Sequence, residues 1–249
     1  MIIILMIYIM IYFFGIEGNI GVGKSTLLKN IKHTLGNYYN NMPIIYLQEP
    51  VELWENIKDK NNENILEKFY KDNKKYSFSF QMMALISKLE YLNNIIDKYR
   101  ECIVISDRSV FTDKNIFAKM LYDSDNMEEI NYKIYNRWFD HYTKKVELTG
   151  IIYLHSNPEI CFKRIKERNR KGEIISLEYL TKCHQYHELW LNTEKDILFV
   201  DATVNKTEEG DVYDQHIKNI KKFISNFIPN DAGYYTTLSM NEILNHPFM

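Results

Sequence analysis

The sequence predicts an α/β fold, a five-stranded parallel sheet with helices on both faces. Two observations lead there. Short apolar runs rich in Ile, Val, Tyr and Phe alternate with helical stretches, and a complete glycine-rich phosphate-binding segment stands between the first run and the first helix. The strands are expected at 12–17, 43–48, 102–106, 150–154 and 197–200. Their flat, unalternating apolarity is what burial on both faces requires. Helices are expected over 25–35, 76–99, 114–145 and 158–168, with a polar connector and a short helix at 61–75. Residues 205–213 read as an acidic turn, and the stretch after Pro229 as a surface tail. One domain results, with its core over about 10–228. Right-handed crossovers put ligands beyond the carboxyl ends of the strands.

Composition narrows the class. Of 249 residues, 45% are hydrophobic and 26% charged, enough apolar surface for a real core. The formal charge is -2, with acids and bases interspersed, so no field draws the whole molecule to nucleic acid or to an anionic membrane. Three scattered cysteines, Cys102, Cys161 and Cys183, argue against a disulfide framework and for a reducing, cytoplasmic setting. The seven histidines show no H-x-x-x-H or Cys/His ligand spacing, so no structural metal site is expected. The leading MIIILMIYI lacks a basic leader and is short for a membrane span. It reads either as an extension of the first strand or as a consequence of start choice, since Met6 and Met10 could also begin the chain.

The strongest chemical signal is Gly18-Asn19-Ile20-Gly21-Val22-Gly23-Lys24-Ser25-Thr26, a full G-x-x-x-x-G-K-[ST]. Its glycines let backbone N–H groups wrap phosphates, and the following helix aims its positive end at the same anion. Lys24 supplies charge for the β- and γ-phosphates, and the Ser25 hydroxyl can ligate Mg²⁺. Glu49-Pro50-Val51 closes the second strand. Pro50 holds Glu49 extended, where it could accept a hydroxyl proton or simply be a solvated strand end. Asp107-Arg108-Ser109 closes the third strand. Asp107 sits where such enzymes place a second Mg²⁺-organising carboxylate, and Arg108 could keep Glu49 ionised; a helix-capping pair is the plain alternative. Arg164, Arg168 and Arg170 crowd one stretch, with like charges four apart. That arrangement suits a bound polyphosphate or a solvated basic face.

Taken in order, these pieces resemble the deoxynucleoside kinase family that includes deoxycytidine and deoxyguanosine kinases. The resemblance rests on I-E-G-N-I-G-V-G-K-S-T, E-P-V-x-x-W at 49–54, F-Y at Phe69 and Tyr70, and Y-S-F-S-F-Q at 76–81. It continues through D-R-S-V-F-T-D at 107–113, L-x-x-x-P-E-x-C-x-x-R-I at 154–165, and R-x-R-x-x-E before L-E-Y-L at 168–180. It implies a P-loop kinase fold using ATP and Mg²⁺, a deoxynucleoside acceptor and a homodimer paired through helices beside the sheet. By the same resemblance, Glu49 is the general base on the 5′-hydroxyl and Arg108 steadies it. Tyr70 and Glu173 hold the 3′-hydroxyl, and Gln81 reads the base edge. Phe80 and Phe117 flank the base, with Val51, Trp54 and Leu66 lining the pocket. Arg164, Arg168 and Arg170 form a lid over ATP. Ala84, Lys88 and Asp113 occupy the positions that set base choice, and an acid–lysine pair there implies deoxycytidine or purine deoxynucleosides over thymidine.

Two features depart from the family pattern: Asp107 stands where the deoxycytidine kinase-like branch commonly has Glu, and Lys171-Gly172-Glu173 is one residue shorter than in the animal enzymes. Two rivals share the motif. A thymidylate kinase would resemble R-E-P-G at the acceptor site, whereas this chain has Gln48-Glu49-Pro50-Val51. A GTP switch or a catalytically dead accessory protein would need N-K-x-D or the loss of Lys24, Glu49 or Arg108; Asn205-Lys206-Thr207-Glu208 lacks the Asp, and all three side chains are present.

Overall fold

In the computed structural model, residues 10–144, 146–170, 173–203 and 210–229 are described, 210–213 by backbone alone. The chain runs β1 (Met10–Glu17), α1 (Lys24–Leu35), β2 (Tyr38–Tyr39), β3 (Met42–Leu47), α2 (Val51–Asn56), α3 (Ile65–Lys71), α4 (Asn73–Lys98) and β4 (Glu101–Asp107). It continues through α5 (Val110–Thr112), a π-helical turn (Asp113–Ala118), α6 (Lys119–Asp123), α7 (Glu129–Tyr142) and β5 (Gly150–His155). Last come α8 (Pro158–Arg168), α9 (Leu177–Leu191), β6 (Ile197–Asp201) and α10 (Gly210–Ser225).

The sheet order is β2-β3-β4-β1-β5-β6. All neighbours are parallel except β2 with β3. The five expected strands are present, each within two residues of its expected bounds. The sixth, β2, corrects the strand count: it is a two-residue antiparallel edge, too short to carry a periodic signal. Burial explains the flat apolar runs. On β4, Cys102 and Val104 meet α4 and α7 residues such as Leu85, Leu89, Tyr135 and Phe139, while Ile103 and Ile105 meet Leu27, Leu28 and Ile31 of α1. Alternate side chains thus enter two separate cores, each fully buried Ile or Leu adding about 1.5–3 kcal/mol of transfer free energy.

One expected helix and one expected turn need correction, and two helices are additional. The single helix over 114–145 is broken into the π-turn, α6 and α7, because Ser124, Asp125 and Asn126 end α6 in a turn; Ser124 Oγ accepts from Asn126 Nδ2 at 3.0 Å. Residue 145 lies outside the described residues. Helices α9 and α10 were not expected; α9 mixes buried His187 and Cys183 with polar neighbours, which blurs its period. The expected turn at 205–213 is already helical from Gly210, and 205–209 lie outside the described residues. The leading residues 1–9 and the tail after Pro229 also lie outside them.

Candidate active site

β1 lies between β4 and β5, so the chain leaves the sheet in opposite directions on its two sides, and the crevice opens at its carboxyl end. The loop leaving β1 passes very close to β5. A Cβ on Gly18 would stand 2.4 Å from the Leu154 carbonyl oxygen, and its φ is 141°. Only glycine fits there. Asn19 ties the loop down from inside: its Nδ2 donates to the Leu180 carbonyl at 2.9 Å, and its Oδ1 accepts from Ile20 N. Helix α1 begins at Lys24 with no acid in its first turn, leaving its positive end uncompensated.

Lys24 is buried and donates to the carbonyls of Gly18 (3.1 Å) and Asn19 (2.8 Å). Burial, then the nearby Arg108 cation, lowers its pKa to about 8, against opposing pulls from Asp107, Glu49 and Glu17. The Ser25 hydroxyl bonds Asp107 Oδ2, while buried Asp107 Oδ1 has no hydrogen-bond partner among the described residues.

Sheet register builds the next group. Leu47 stands opposite Ser106, so continuing both strands by two residues sets Glu49 beside Arg108. Arg108 has φ 63°, a left-handed turn costly for a side chain of this size and typical of functional sites. Its Nη1 grips both Glu49 oxygens, at 3.0 and 2.9 Å. Its guanidinium also lies over the Phe117 ring, 5.3 Å from the centroid. Burial pushes the Glu49 carboxyl up, but Arg108, Lys88 and Lys24 together outweigh it and hold Glu49 below the usual range. Arg108 is itself raised further: burial opposes, while Glu49 and Asp107 prevail. Glu17, a buried carboxylate that sequence reasoning gave no role, fixes this turn. It accepts from Ser109 N at 2.9 Å and from the Thr112 hydroxyl. The signal was available: an acid ending a strand otherwise buried in hydrocarbon.

On α4, Gln81, Ala84 and Lys88 share one face and are all buried. Lys88 Nζ bonds Asp113 Oδ1 at 2.8 Å and lies 3.9 Å from Glu49. Burial raises Asp113 to about 6 despite Lys88. Gln81 Oε1 and Asp113 Oδ2 are buried without hydrogen-bond partners among the described residues, as are Arg108 Nε and Nη2. The π-turn brings both Asp113 and Phe117 to the cleft while Ile116 stays in the core, a re-aiming common at functional sites. Phe80 stacks on Phe69 at 4.7 Å and meets Trp54 edge-on at 5.4 Å. Trp54 is anchored by its Nε1 to Ser87 Oγ.

One cleft of about 1230 Å³ takes in most of the expected site: 20–26 of the loop, Glu49, Val51, Trp54, Leu66, Tyr70, Phe80, Gln81, Ala84, Asp107, Arg108, Asp113, Phe117, Arg164, Arg168, Arg170 and Glu173. Gly18, Asn19 and Lys88 do not line it. Tyr179, also unforeseen, lines it; burial, then Cys183 and Tyr70, raise its hydroxyl well above the ordinary range. Burial, then Glu173 and Glu49, likewise raise Tyr70.

The basic stretch is not one unopposed cationic face. Arg164 donates to the carbonyls of Val22 (3.2 Å), Ala202 (2.8 Å) and Thr203 (3.4 Å), and Arg168 grips both oxygens of Glu173 at 2.7 and 2.6 Å. Lys171 and Gly172 lie outside the described residues.

Comparison with known proteins gives the family. The family model described as deoxynucleoside kinase matches residues 14–228. The chain is 35% identical over 241 residues to the deoxycytidine kinase of Homo sapiens, covering 85% of this chain and 90% of that protein. It is 34% identical over 196 residues to the mitochondrial deoxyguanosine kinase of Xenopus laevis, covering 71% and 72%. A probable deoxycytidine kinase of Fowlpox virus is 33% identical over 220 residues, covering 85% and 87%. A chain with this loop, this cleft and these relatives belongs to the deoxynucleoside kinase family, phosphotransferases that take a phosphate from a nucleotide and place it on a nucleoside hydroxyl.

Proposed function

We propose that this enzyme moves the γ-phosphate of ATP to the 5′-hydroxyl of a deoxynucleoside, with Glu49 as the general base. The observation that carries this reading is the Glu49–Arg108 pair, set by strand register in the same cleft as Lys24. Glu49 is held ionised, so it can accept the hydroxyl proton as the oxygen attacks the γ-phosphorus. The bond between that phosphorus and the β–γ bridging oxygen breaks, and ADP leaves. Lys24 turns from the loop carbonyls to the phosphates and offsets the charge that builds on the transferring group.

Ser25 and Asp107 would hold Mg²⁺. A hydroxyl and a carboxylate are the hard oxygen donors it takes, and Asp107 Oδ1 has no hydrogen-bond partner among the described residues. When bound, the ion neutralises phosphate charge. Arg164, Arg168 and Arg170 flank the phosphate side; for Arg168 to reach a phosphate it must release Glu173, which frees Glu173 to join Tyr70 at the 3′-hydroxyl. Substrate binding would thereby exchange one internal ion pair for two ligand contacts.

Base choice follows from the buried polar atoms. Gln81 Oε1 and Asp113 Oδ2 are acceptors lacking partners among the described residues, which suits the exocyclic amino group of cytosine or adenine. Lys88 holds Asp113 in place, and separating them to admit the thymine methyl would strand a buried charge. Deoxycytidine and purine deoxynucleosides are therefore preferred over thymidine. For the homodimer, α7 offers Ile130, Ile134, Trp138 and Tyr142, all exposed and four residues apart along one face. Sedimentation of the wild type and of Trp138→Glu tests that face. The function is tested by kcat/KM for the four deoxynucleosides with ATP and Mg²⁺; turnover of none of them would refute it.

A further inference from the structure

Outside the cleft, the described residues hold one group of side chains with the donor set of a metal site. His155 ends β5; His184 and Glu188 lie four apart on α9 and so share a face. Strand alternation explains how they meet. Leu154 joins the core beneath the phosphate loop, while Tyr153 joins the cluster containing Trp190 and Leu191 of α9, so His155 follows Tyr153 to the α9 side.

One donor atom from each of His155, His184 and Glu188 lies within 4.8 Å of the others, and His155 Nε2 stands 3.9 Å from Glu188 Oε1. Bonds of about 2.0–2.2 Å in a tetrahedral site would set donors about 3.3–3.6 Å apart, a closure small enough for side-chain adjustment alone. The Tyr153 hydroxyl donates to Glu188 Oε1 at 2.6 Å, the kind of outer contact that orients a ligating carboxylate. A carboxylate–imidazole ion pair accounts for only two of these groups. The third donor, His184, is what a metal ion needs and an ion pair does not. His187 stands outside the group: it is buried, with Nδ1 at 2.6 Å from the Cys183 carbonyl.

We propose that His155, His184 and Glu188 bind a divalent transition ion of the Zn²⁺ class on the α9 side of the sheet. All three side chains are partly exposed, leaving the remaining coordination positions to water. Two imidazoles select Zn²⁺, Ni²⁺ or Cu²⁺ over the Mg²⁺ that phosphoryl transfer needs. The ion clips α9 to the end of β5. Since α9 carries Tyr179 of the cleft wall and the Leu180 carbonyl that holds Asn19, the clip stiffens the frame of the phosphate loop.

The test uses full-length protein treated with a chelator, then titrated with Zn²⁺ in the presence of millimolar Mg²⁺. Calorimetry should show one equivalent with a micromolar or tighter Kd, and stoichiometric Zn²⁺ should raise Tm. His184→Ala and Glu188→Gln, both surface changes, should each weaken binding at least about 10-fold and abolish the Tm rise. His141→Ala, a change at an exposed histidine on α7, should do neither. The Zn²⁺-free Tm of each variant reports its folding separately. Absence of wild-type binding tighter than about 10 µM, or equal binding by wild type, His184→Ala and Glu188→Gln, would overturn the proposal.

Discussion

The phosphate loop and the proposed nucleoside pocket open at the same carboxyl end of the sheet, yet their polar groups are treated in opposite ways. In the loop, Lys24 is satisfied by Gly18 and Asn19, and Asn19 by Leu180 and Ile20. In the pocket, Gln81, Arg108 and Asp113 each bury atoms without partners among the described residues. Each such atom costs about 1–3 kcal/mol unless a ligand meets it. On the proposed reading, the loop is a generic cradle that stands by itself, whereas the pocket is a surface that its substrate would complete. Binding of any phosphate donor should depend on the first, and discrimination among acceptors on the second.

The largest effect should come from the loop. Lys24→Ala removes charge stabilisation common to every acceptor, so turnover should fall about 10³-fold or more for all deoxynucleosides alike. A loss confined to one base would mean that the two regions are not separable. Next, Glu49→Gln should lower kcat by about 10²–10⁴ while nucleoside affinity, measured by calorimetry, stays largely intact. Activity within a few-fold of wild type would remove Glu49 from the mechanism.

Smaller but sharper is Lys88→Met with Asp113→Ala. The double change opens space and removes the acceptor, so thymidine should gain on deoxycytidine by about 10–100-fold in kcat/KM. No gain would free this pair from any role in base choice. The smallest effect is in pH. Asp113 is raised to about 6, so falling pH protonates it there and turns an acceptor into a donor. The preference for deoxycytidine over thymidine should shrink by a few-fold as pH drops through that value, and stay flat in Asp113→Asn. A preference that is constant from pH 7 to 5 would contradict the assignment.

The same contrast governs what the sequence discloses. The loop is one continuous segment with a fixed spacing of glycines, lysine and serine, so Gly18 to Thr26 could be read directly, although what holds Gly18 and Gly21 to glycine in the structure is their close approach to Leu154 and to Cys161 and Ile165. The pairing of Glu49 with Arg108 followed once both were placed at strand ends. The π-turn could not be read, because Asp113–Ala118 has ordinary helical residues and its distortion is tertiary. Glu17 and Tyr179 were missed because each looks like part of a plain strand or helix until its buried partners are known. The Arg168–Glu173 pair was missed for a different reason: both residues had been given separate ligand roles, and nothing local says that they meet each other. His155, His184 and Glu188 escape any rule based on linear spacing, since a strand end and a helix face bring them together.

The central claim is that the acceptor is a neutral deoxynucleoside activated by Glu49. It is tested most directly by supplying γ-labelled ATP with deoxycytidine, thymidine or thymidine 5′-monophosphate and identifying the labelled product. The account predicts rapid formation of deoxycytidine 5′-monophosphate, slower labelling of thymidine, and labelling of both slowed about 10²–10⁴-fold in Glu49→Gln. Preferential conversion of thymidine monophosphate to its diphosphate, or undiminished labelling by Glu49→Gln, would contradict it.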